Sequence, residues 1–191
     1  GVGNGTDALV IALRALRLAP GAEVLVPAFS FFATAEAVAL AGGVPVFCDI
    51  DAASYNLDPQ ELERHATART AGVIGVHLYG RPFDSESVAA ICRRRGWFLV
   101  EDAAQAHGAK YKGKNIGTFG EMSCFSFYPA KNLGAAGEGG ALVTNSAELA
   151  ARDGDLTAQN DMLARRNRHI LGKAQLREAA VPRFQHIAVE Q

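Results

Sequence analysis

The feature that most restricts the fold of this chain is an alternation between short apolar runs and segments with helical patterns. The predicted strands are Glu23 to Pro27, Val44 to Ile50, Ala71 to Gly80, Trp97 to Asp102, Met122 to Tyr128 and Gly140 to Asn145. Most of these runs are continuously apolar, which is typical of strands covered on both faces of a sheet. The pattern predicts an α/β fold with a mostly parallel central sheet flanked by helices. Such sheets bind ligands at the carboxyl ends of their strands.

Helix signals occupy the gaps between these strands. Leu9, Leu13 and Leu16 recur at helical spacing, and the segment "TAEAVALAGG" predicts a short helix that ends at two glycines. Asp58 is placed as an N-cap, followed by a first-turn proline and a capping-box glutamate. The segment "SESVAAICRRRG" ends in three arginines and Gly96, as the C-terminus of a helix often does.

The bulk properties exclude several classes of protein. The formal net charge of the 191 residues is -1, which gives no support for binding nucleic acid. No apolar run is long enough to span a membrane, and no signal-peptide pattern opens the chain. The three cysteines are widely separated, which argues against a disulfide scaffold or a zinc site and suits a reducing cytoplasm.

Two segments with different character divide the chain. Residues 1–150 carry the α/β pattern, and the first residues already form the middle of a motif, so we expect the N-terminus to be incomplete. Residues 151–191 are polar and mostly helix-forming, and we expect a helical extension there. The arginines of this extension indicate a solvated face rather than a binding patch.

Reactive side chains collect where three of the predicted segments end or begin. Asp102 and Glu101 end one strand and are followed by Gln105, while Lys131 follows the strand that contains Ser126. The segment "GNGTDAL" leads small residues into a helix, where free N–H groups form an anion site. Taken singly, Asp102 could be a helix cap and Thr6 could cap its own helix. Together, a lysine, a carboxylate and an anion site are the groups that pyridoxal phosphate (PLP) needs.

Six motifs in order then carry a resemblance to a known family. They are "GNGTDAL", "VPAFSFFATAEAV", "PVFCDID", "VHLYGRP", "EDAAQAHGA" and "SFYPAKNLGAAGEGGAL". Over roughly residues 1–150 the chain resembles the DegT/DnrJ/EryC1/StrS family of PLP-dependent sugar aminotransferases. The resemblance implies the large domain of the type I, aspartate-aminotransferase-like fold. It also implies transfer of an amino group from glutamate or glutamine to a nucleotide-linked keto sugar by a homodimer.

The same resemblance implies roles for individual residues. Lys131 corresponds to the lysine that forms the Schiff base, and Asp102 to the partner of the pyridinium nitrogen. Gln105 corresponds to the residue that binds the phenolic oxygen of the cofactor, and Phe31 to the ring stacked on the pyridine. Ser126, Thr6 and the Asp7 backbone match the phosphate cradle. Without the motif, Phe29, Phe31 and Phe32 would be assigned to the core.

Four further side chains lie near these motifs without a catalytic assignment. His107 is either a neighbour of the site or a neutral structural histidine. His77 and Tyr79 are interpreted as packing at a strand end near the sugar site, and Glu138 has no assigned chemistry.

Alternative functions follow from where the chain departs from the family pattern. The small C-terminal domain of the family is not recognisable after about residue 150, which favours a non-catalytic or regulatory protein on the same fold. A sugar dehydratase of the family would carry histidine in place of Lys131. A dinucleotide-binding domain would require a strand before "GVGNGTDAL", and none precedes it in this chain.

Overall fold

A six-stranded sheet forms the centre of the molecule. The computed structural model describes residues 1–154 and 156–157. The strands are β1 (Glu23–Pro27), β2 (Val44–Cys48), β3 (Thr70–Val76), β4 (Phe98–Asp102), β5 (Lys110–Tyr111), β6 (Lys114–Asn115), β7 (Met122–Ser126) and β8 (Gly140–Val143). The main sheet has the order β2-β1-β3-β4-β7-β8, and β5 and β6 form a separate hairpin. Every neighbouring pair in the main sheet is parallel except β7 and β8. The predicted mostly parallel α/β architecture is confirmed.

The predicted strands are correctly located but several are too long. The strand predicted as Ala71 to Gly80 stops at Val76, because Leu78–Gly80 forms a short 3-10 turn. The strand predicted to reach Tyr128 stops at Ser126, where the chain turns into a loop. The residues wrongly predicted as strand are apolar residues of loops at the carboxyl edge of the sheet. Hydrophobicity alone does not distinguish such loop residues from strand residues.

The helices lie on both faces of the sheet. They are α1 (Gly5–Ala15), α2 (Ala33–Leu40), α3 (Pro59–His65) and α4 (Ser85–Arg95). Asp58 caps α3 through a bond from the Gln60 N–H, and Gly96 ends α4 with a φ of 70°. Both predicted helix boundaries are confirmed. The alternative that Thr6 caps α1 is wrong, because the side chain of Asn4 accepts the Asp7 N–H and is the cap.

Two apolar layers explain why the strands are continuously hydrophobic. Val24 and Val26 pack in one layer with α1 and α2, whereas Leu25 between them packs in the other with α3 and α4. Side chains alternate between the faces of a strand, so a strand covered on both faces needs apolar residues throughout. The outer strand β2 is the exception, since Val44 and Phe47 are exposed at the sheet edge.

A further helical segment follows β8. Residues 147–154 are helical, and Leu149 and Leu156 pack against the layer formed with α1 and α2. The remainder of the predicted extension, including Arg165, Arg166, Arg168 and Arg177, lies outside the described residues. Within the described part of the chain, no helix combines the length and the apolar character needed to cross a membrane.

Candidate active site

One cavity of about 890 Å³ opens at the carboxyl ends of the parallel strands. It lies where the ends of β3, β4 and β7 meet the N-terminus of α1. All seven residues that the sequence places at the site line this cavity: Thr6, Asp7, Phe31, Asp102, Gln105, Ser126 and Lys131. Parallel strands deliver their carboxyl ends to one edge of the sheet, which is why motifs distant in sequence converge there.

Asp102 is a buried carboxylate at the end of β4. Its Oδ2 atom accepts the Thr34 hydroxyl at 3.0 Å, and its Oδ1 atom accepts the Ala104 N–H at 3.2 Å. Burial raises the pKa of Asp102, and the two hydrogen bonds together with the positive charge of Lys131 offset this only in part. A cation that enters the cavity beside this carboxylate would therefore lower its pKa and become strongly bound.

Lys131 projects from a loop that folds back on itself after β7. The Lys131 N–H donates to Tyr128 O at 2.8 Å, and the Ala135 N–H donates to Phe127 O at 2.8 Å. A side chain on Gly134 would come within 2.4 Å of the Pro129 carbonyl oxygen, so this return needs glycine. The small residues after Lys131 thus allow a tight loop that holds the lysine at the cavity.

The aromatic ring of Phe31 faces the lysine. The Nζ atom of Lys131 lies 5.8 Å from the centroid of the Phe31 ring, and this ring is 68% exposed. Phe29 and Phe32 are also exposed, so the alternative that these three phenylalanines belong to the core is wrong. An exposed flat ring beside an amine is suited to stack on a planar ligand.

An anion site is formed where α1 approaches β7. In the described residues, the N–H groups of Gly5 and Thr6 have no partner, whereas the Asp7 N–H donates to Asn4 Oδ1 at 2.8 Å. Ser126 lies directly beside Gly5. The free donors are therefore the two earlier N–H groups and the Thr6 and Ser126 hydroxyls, and the predicted Asp7 N–H already has a partner.

Gln105 is held by a backbone N–H group of a neighbouring turn. Its Oε1 atom accepts the Tyr79 N–H at 2.7 Å. The Tyr79 side chain is 75% exposed, so its predicted packing role is wrong. A smaller cavity of about 290 Å³ is lined by Tyr79, Gln105, Ala130, Lys131 and Asn132.

Glu101 and His77 form a fully buried pair of side chains. Glu101 accepts the N–H groups of Gly117, Phe119 and Gly120, and His77 Nε2 lies 3.0 Å from Glu101 Oε2. Burial by itself would raise the pKa of Glu101, but the bonds from His77 and from the N–H groups of Gly120 and Gly117 outweigh it and lower the pKa. Glu101 therefore anchors the loop before β7. His77 is fully buried with its ring stacked on Phe83, which agrees with its predicted packing role.

His107 and Glu138 lie at the periphery of this arrangement. The His107 ring packs between Phe125 and Phe127, with centroids 5.4 and 5.5 Å away. Burial lowers the pKa of His107, which keeps the imidazole neutral. Glu138 is exposed in the glycine-rich loop and lines the larger cavity.

Sequence reasoning missed the residues that support the site. Thr34 connects Asp102 to Ser30, whose hydroxyl lies 3.0 Å from that of Thr34. Nothing in the sequence marks Thr34, because it lies on a helix 68 positions from Asp102. Asn4 could have been found, since asparagine directly before a helical pattern is a strong N-cap signal.

Comparisons with known proteins agree with this geometry. The model of the DegT/DnrJ/EryC1/StrS aminotransferase family matches residues 1–169. A protein of Geobacillus stearothermophilus named pleiotropic regulatory protein is 52% identical over 152 residues, which are 80% of this chain and 41% of that protein. The UDP-N-acetyl-3-dehydro-alpha-D-glucosamine 3-aminotransferase of Acidithiobacillus ferrooxidans is 51% identical over 149 residues, which are 78% of this chain and 40% of that enzyme.

Solved structures show the same fold. DesV of S. venezuelae, solved in complex with a ketimine intermediate, matches with a TM-score of 0.77 and 46% identity, covering 80% of this chain and 41% of that one. The protein ntda of Bacillus subtilis, solved with bound cofactor PMP, matches with a TM-score of 0.74 and 38% identity, covering 80% and 34%. The chain spans about two fifths of the length of the relatives it matches.

Proposed function

The chain belongs to the DegT/DnrJ/EryC1/StrS aminotransferase family, and on this premise we propose that it is a PLP-dependent aminotransferase acting on a nucleotide-linked keto sugar. Aminotransferases of this family depend on PLP. The observation that carries the proposal is that Lys131, Asp102 and the N-terminus of α1 line a single cavity. The amino donor that we propose is glutamate or glutamine, and Lys131 is the residue that forms the Schiff base.

The residues present fit the cofactor. The N–H groups of Gly5 and Thr6, which have no partner among the described residues, suit a phosphate dianion together with the helix dipole of α1. The buried carboxylate of Asp102 suits a protonated ring nitrogen, whose positive charge would offset the burial that raises the Asp102 pKa. Phe31 supplies an apolar face for the ring, and Gln105 an amide for its oxygen substituent.

The reaction assigns a distinct task to each side chain. PLP, when bound, takes up an amino group through its aldehyde and withdraws electrons from the adjacent carbon. Asp102 would hold a proton on the ring nitrogen. The Thr34 hydroxyl fixes the orientation of the Asp102 carboxylate through its hydrogen bond to Oδ2. The Nζ atom of Lys131 moves a proton to and from the reacting carbon of the substrate. Phe31 limits access of water to one face of the ring.

The second substrate and a partner chain belong to the same proposal. The relative from Acidithiobacillus ferrooxidans carries the name of a UDP-sugar aminotransferase, which supports a nucleotide-linked keto sugar as the amino acceptor. The cavity is rimmed by the exposed aromatic side chains of Phe31 and Tyr128. An exposed aromatic rim supports a homodimer in which a second copy covers the site. A cytoplasmic location stays a prediction.

The deciding experiment is an absorbance titration of the protein with PLP. We expect the wild-type protein to develop the visible band of a Schiff base, and Lys131→Ala to show only free cofactor. Lys114→Ala is the matched control, because Lys114 is an exposed lysine of the β5–β6 hairpin away from the cavity. Adding glutamate should then convert the wild-type band to that of the amine form. A band of equal strength in Lys131→Ala contradicts the assignment.

A regulatory role is the second candidate function. The relative from Geobacillus stearothermophilus is named a pleiotropic regulatory protein, and it is as similar to this chain as the aminotransferases are. A protein of this kind could bind PLP through the same lysine and transfer no amino group. Formation of the Schiff-base band without conversion by glutamate or glutamine would favour this candidate.

A further inference from the structure

Tyr79 combines an exposed side chain with an unusual backbone. Its φ and ψ angles are 56° and 24°, in the left-handed region that favours glycine, although the side chain is 75% exposed. Gly80, with a φ of 81°, continues the same turn. Non-glycine residues keep such angles only where their surroundings enforce them, and these positions concentrate at ligand sites.

The surroundings of this turn do enforce its shape. Asn56 is buried, accepts the Leu78 N–H at 3.3 Å and donates from Nδ2 to Arg81 O at 3.0 Å. The guanidinium of Arg81 also donates to Ala53 O at 2.9 Å. On the other side, the His77 N–H donates to Asp102 O at 3.0 Å. The turn is thus tied to the loop before α3 and to the end of β4.

The result is one N–H group directed at Gln105. The Tyr79 N–H lies 2.7 Å from Gln105 Oε1, and an N–H donor requires the oxygen of the amide to face it. The NH₂ group of Gln105 consequently faces away from Tyr79. In the described part of the chain this NH₂ group has no acceptor, although Gln105 lines both cavities beside Lys131.

We propose that the Leu78–Gly80 turn is a positioning device, which uses the Tyr79 N–H to present the Gln105 NH₂ group as a donor to an anionic oxygen beside Lys131. The inference rests on the proposed function, in which this oxygen is the phenolate oxygen of PLP. A freely rotating glutamine could offer either its oxygen or its NH₂ group, and an oxygen would repel the phenolate. Tyr79 and Asn56 act through Gln105 and are positioning residues.

The consequence can be measured on the lysine adduct. A donor to the phenolate oxygen withdraws negative charge that would otherwise hold the proton on the neighbouring Schiff-base nitrogen. Loss of the donor should therefore raise the pKa of the adduct, by about 1 to 2 when the lost bond is to a charged oxygen. A residue that supports only the fold would not move this pKa.

The experiment titrates the visible band of the PLP-loaded protein with pH. We expect Gln105→Leu to raise the adduct pKa by about 1 to 2, and Asn56→Ala to raise it by a smaller amount. Tyr79→Gly keeps the N–H group and suits the left-handed backbone, so it should leave the pKa unchanged. Circular dichroism checks whether Asn56→Ala folds. If it does not, the adduct pKa values of Gln105→Leu and Tyr79→Gly still test the inference.

Hydrogen exchange without cofactor tests the contact itself. The Tyr79 amide should exchange at least about tenfold faster in Gln105→Leu than in the wild type, since its acceptor is gone. An unchanged adduct pKa or an unchanged Tyr79 exchange rate in Gln105→Leu overturns the inference alone. Failure of the wild-type protein to form the band overturns the proposed function together with the inference.

Discussion

Replacement of Gly5 by alanine tests the phosphate site directly. Gly5 is the first residue of α1 and lies against Ser126 at the end of β7. A Cβ atom at position 5 would lie 2.7 Å from Ser126 Cβ and 3.1 Å from Ser126 Oγ. Rotation of the Ser126 side chain leaves its Cβ in place, so the helix or the strand must move. We expect Gly5→Ala to weaken both folding and cofactor binding.

The size of the effect follows from this overlap. Carbon atoms in contact prefer separations of about 3.5–4.0 Å, so the two Cβ atoms are too close by roughly 0.8 Å or more. Overpacking of this kind costs about 1–3 kcal/mol, while alanine in a helix gains up to about 1 kcal/mol over glycine. The overlap therefore dominates, and the free energy of unfolding should fall by about 1–2 kcal/mol.

Cofactor binding should fall for a separate reason. Moving the N-terminus of α1 away from Ser126 separates the donors that we propose bind one phosphate group. Loss of one hydrogen bond to a charged group corresponds to a dissociation constant for PLP that is about ten to a hundred times larger. Urea unfolding followed by circular dichroism gives the first quantity, and PLP titration followed by absorbance or by Trp97 fluorescence gives the second.

A second substitution separates the overlap from other causes. In the Gly5→Ala background, Ser126→Gly removes the opposing Cβ atom and should restore most of the lost stability. Ser126→Ala removes only the hydroxyl and should not restore it. Wild-type folding and PLP binding by Gly5→Ala, or equal rescue by both Ser126 variants, would show that the overlap with Ser126 Cβ is not the cause.

Two buried carboxylates should show opposite pH dependence in the cofactor-free protein. Because the folded-state pKa of Glu101 is lowered, its stabilising contribution is present above the unfolded pKa of about 4.3 and is lost as pH falls through the folded value. Glu101→Gln should cost about 1–3 kcal/mol near neutral pH, with a smaller difference in acid. The folded-state pKa of Asp102 is raised, so Asp102→Asn should gain stability relative to wild type as pH rises above about 4, while cofactor binding is lost. Urea unfolding at several pH values measures both differences, and curves parallel to the wild type would contradict either prediction.

Much of the fold could be predicted because its signals are local. Continuous apolar runs identified the strands, and the caps Asp58 and Gly96 marked helix ends. Strand ends were less predictable at Gly80 and Tyr128, because apolar residues in the active-site loops have the same composition as strand residues. These loops are defined by hydrogen bonds to distant segments, which a sequence does not display.

The residues of the candidate site could be predicted for a related reason. Lys131, Asp102 and Gln105 lie in contiguous motifs at strand ends, and a parallel sheet gathers such ends at one edge. The partners of these residues could not be predicted in the same way. Thr34 reaches Asp102, and Asn56 holds the turn of Tyr79, across long separations in the chain.

The α/β architecture, the family and the residues that line the cavity could thus be predicted from the sequence, because short contiguous motifs and apolar runs indicate each of them. The contacts that hold these residues in place are visible only in the folded molecule. The structure shows that Asn4 rather than Thr6 caps α1, that Glu101 anchors a loop, and that the Tyr79 N–H fixes Gln105. The physical reason is that a hydrogen bond depends on the position of two groups in space, and folding sets that position through packing of the whole sheet.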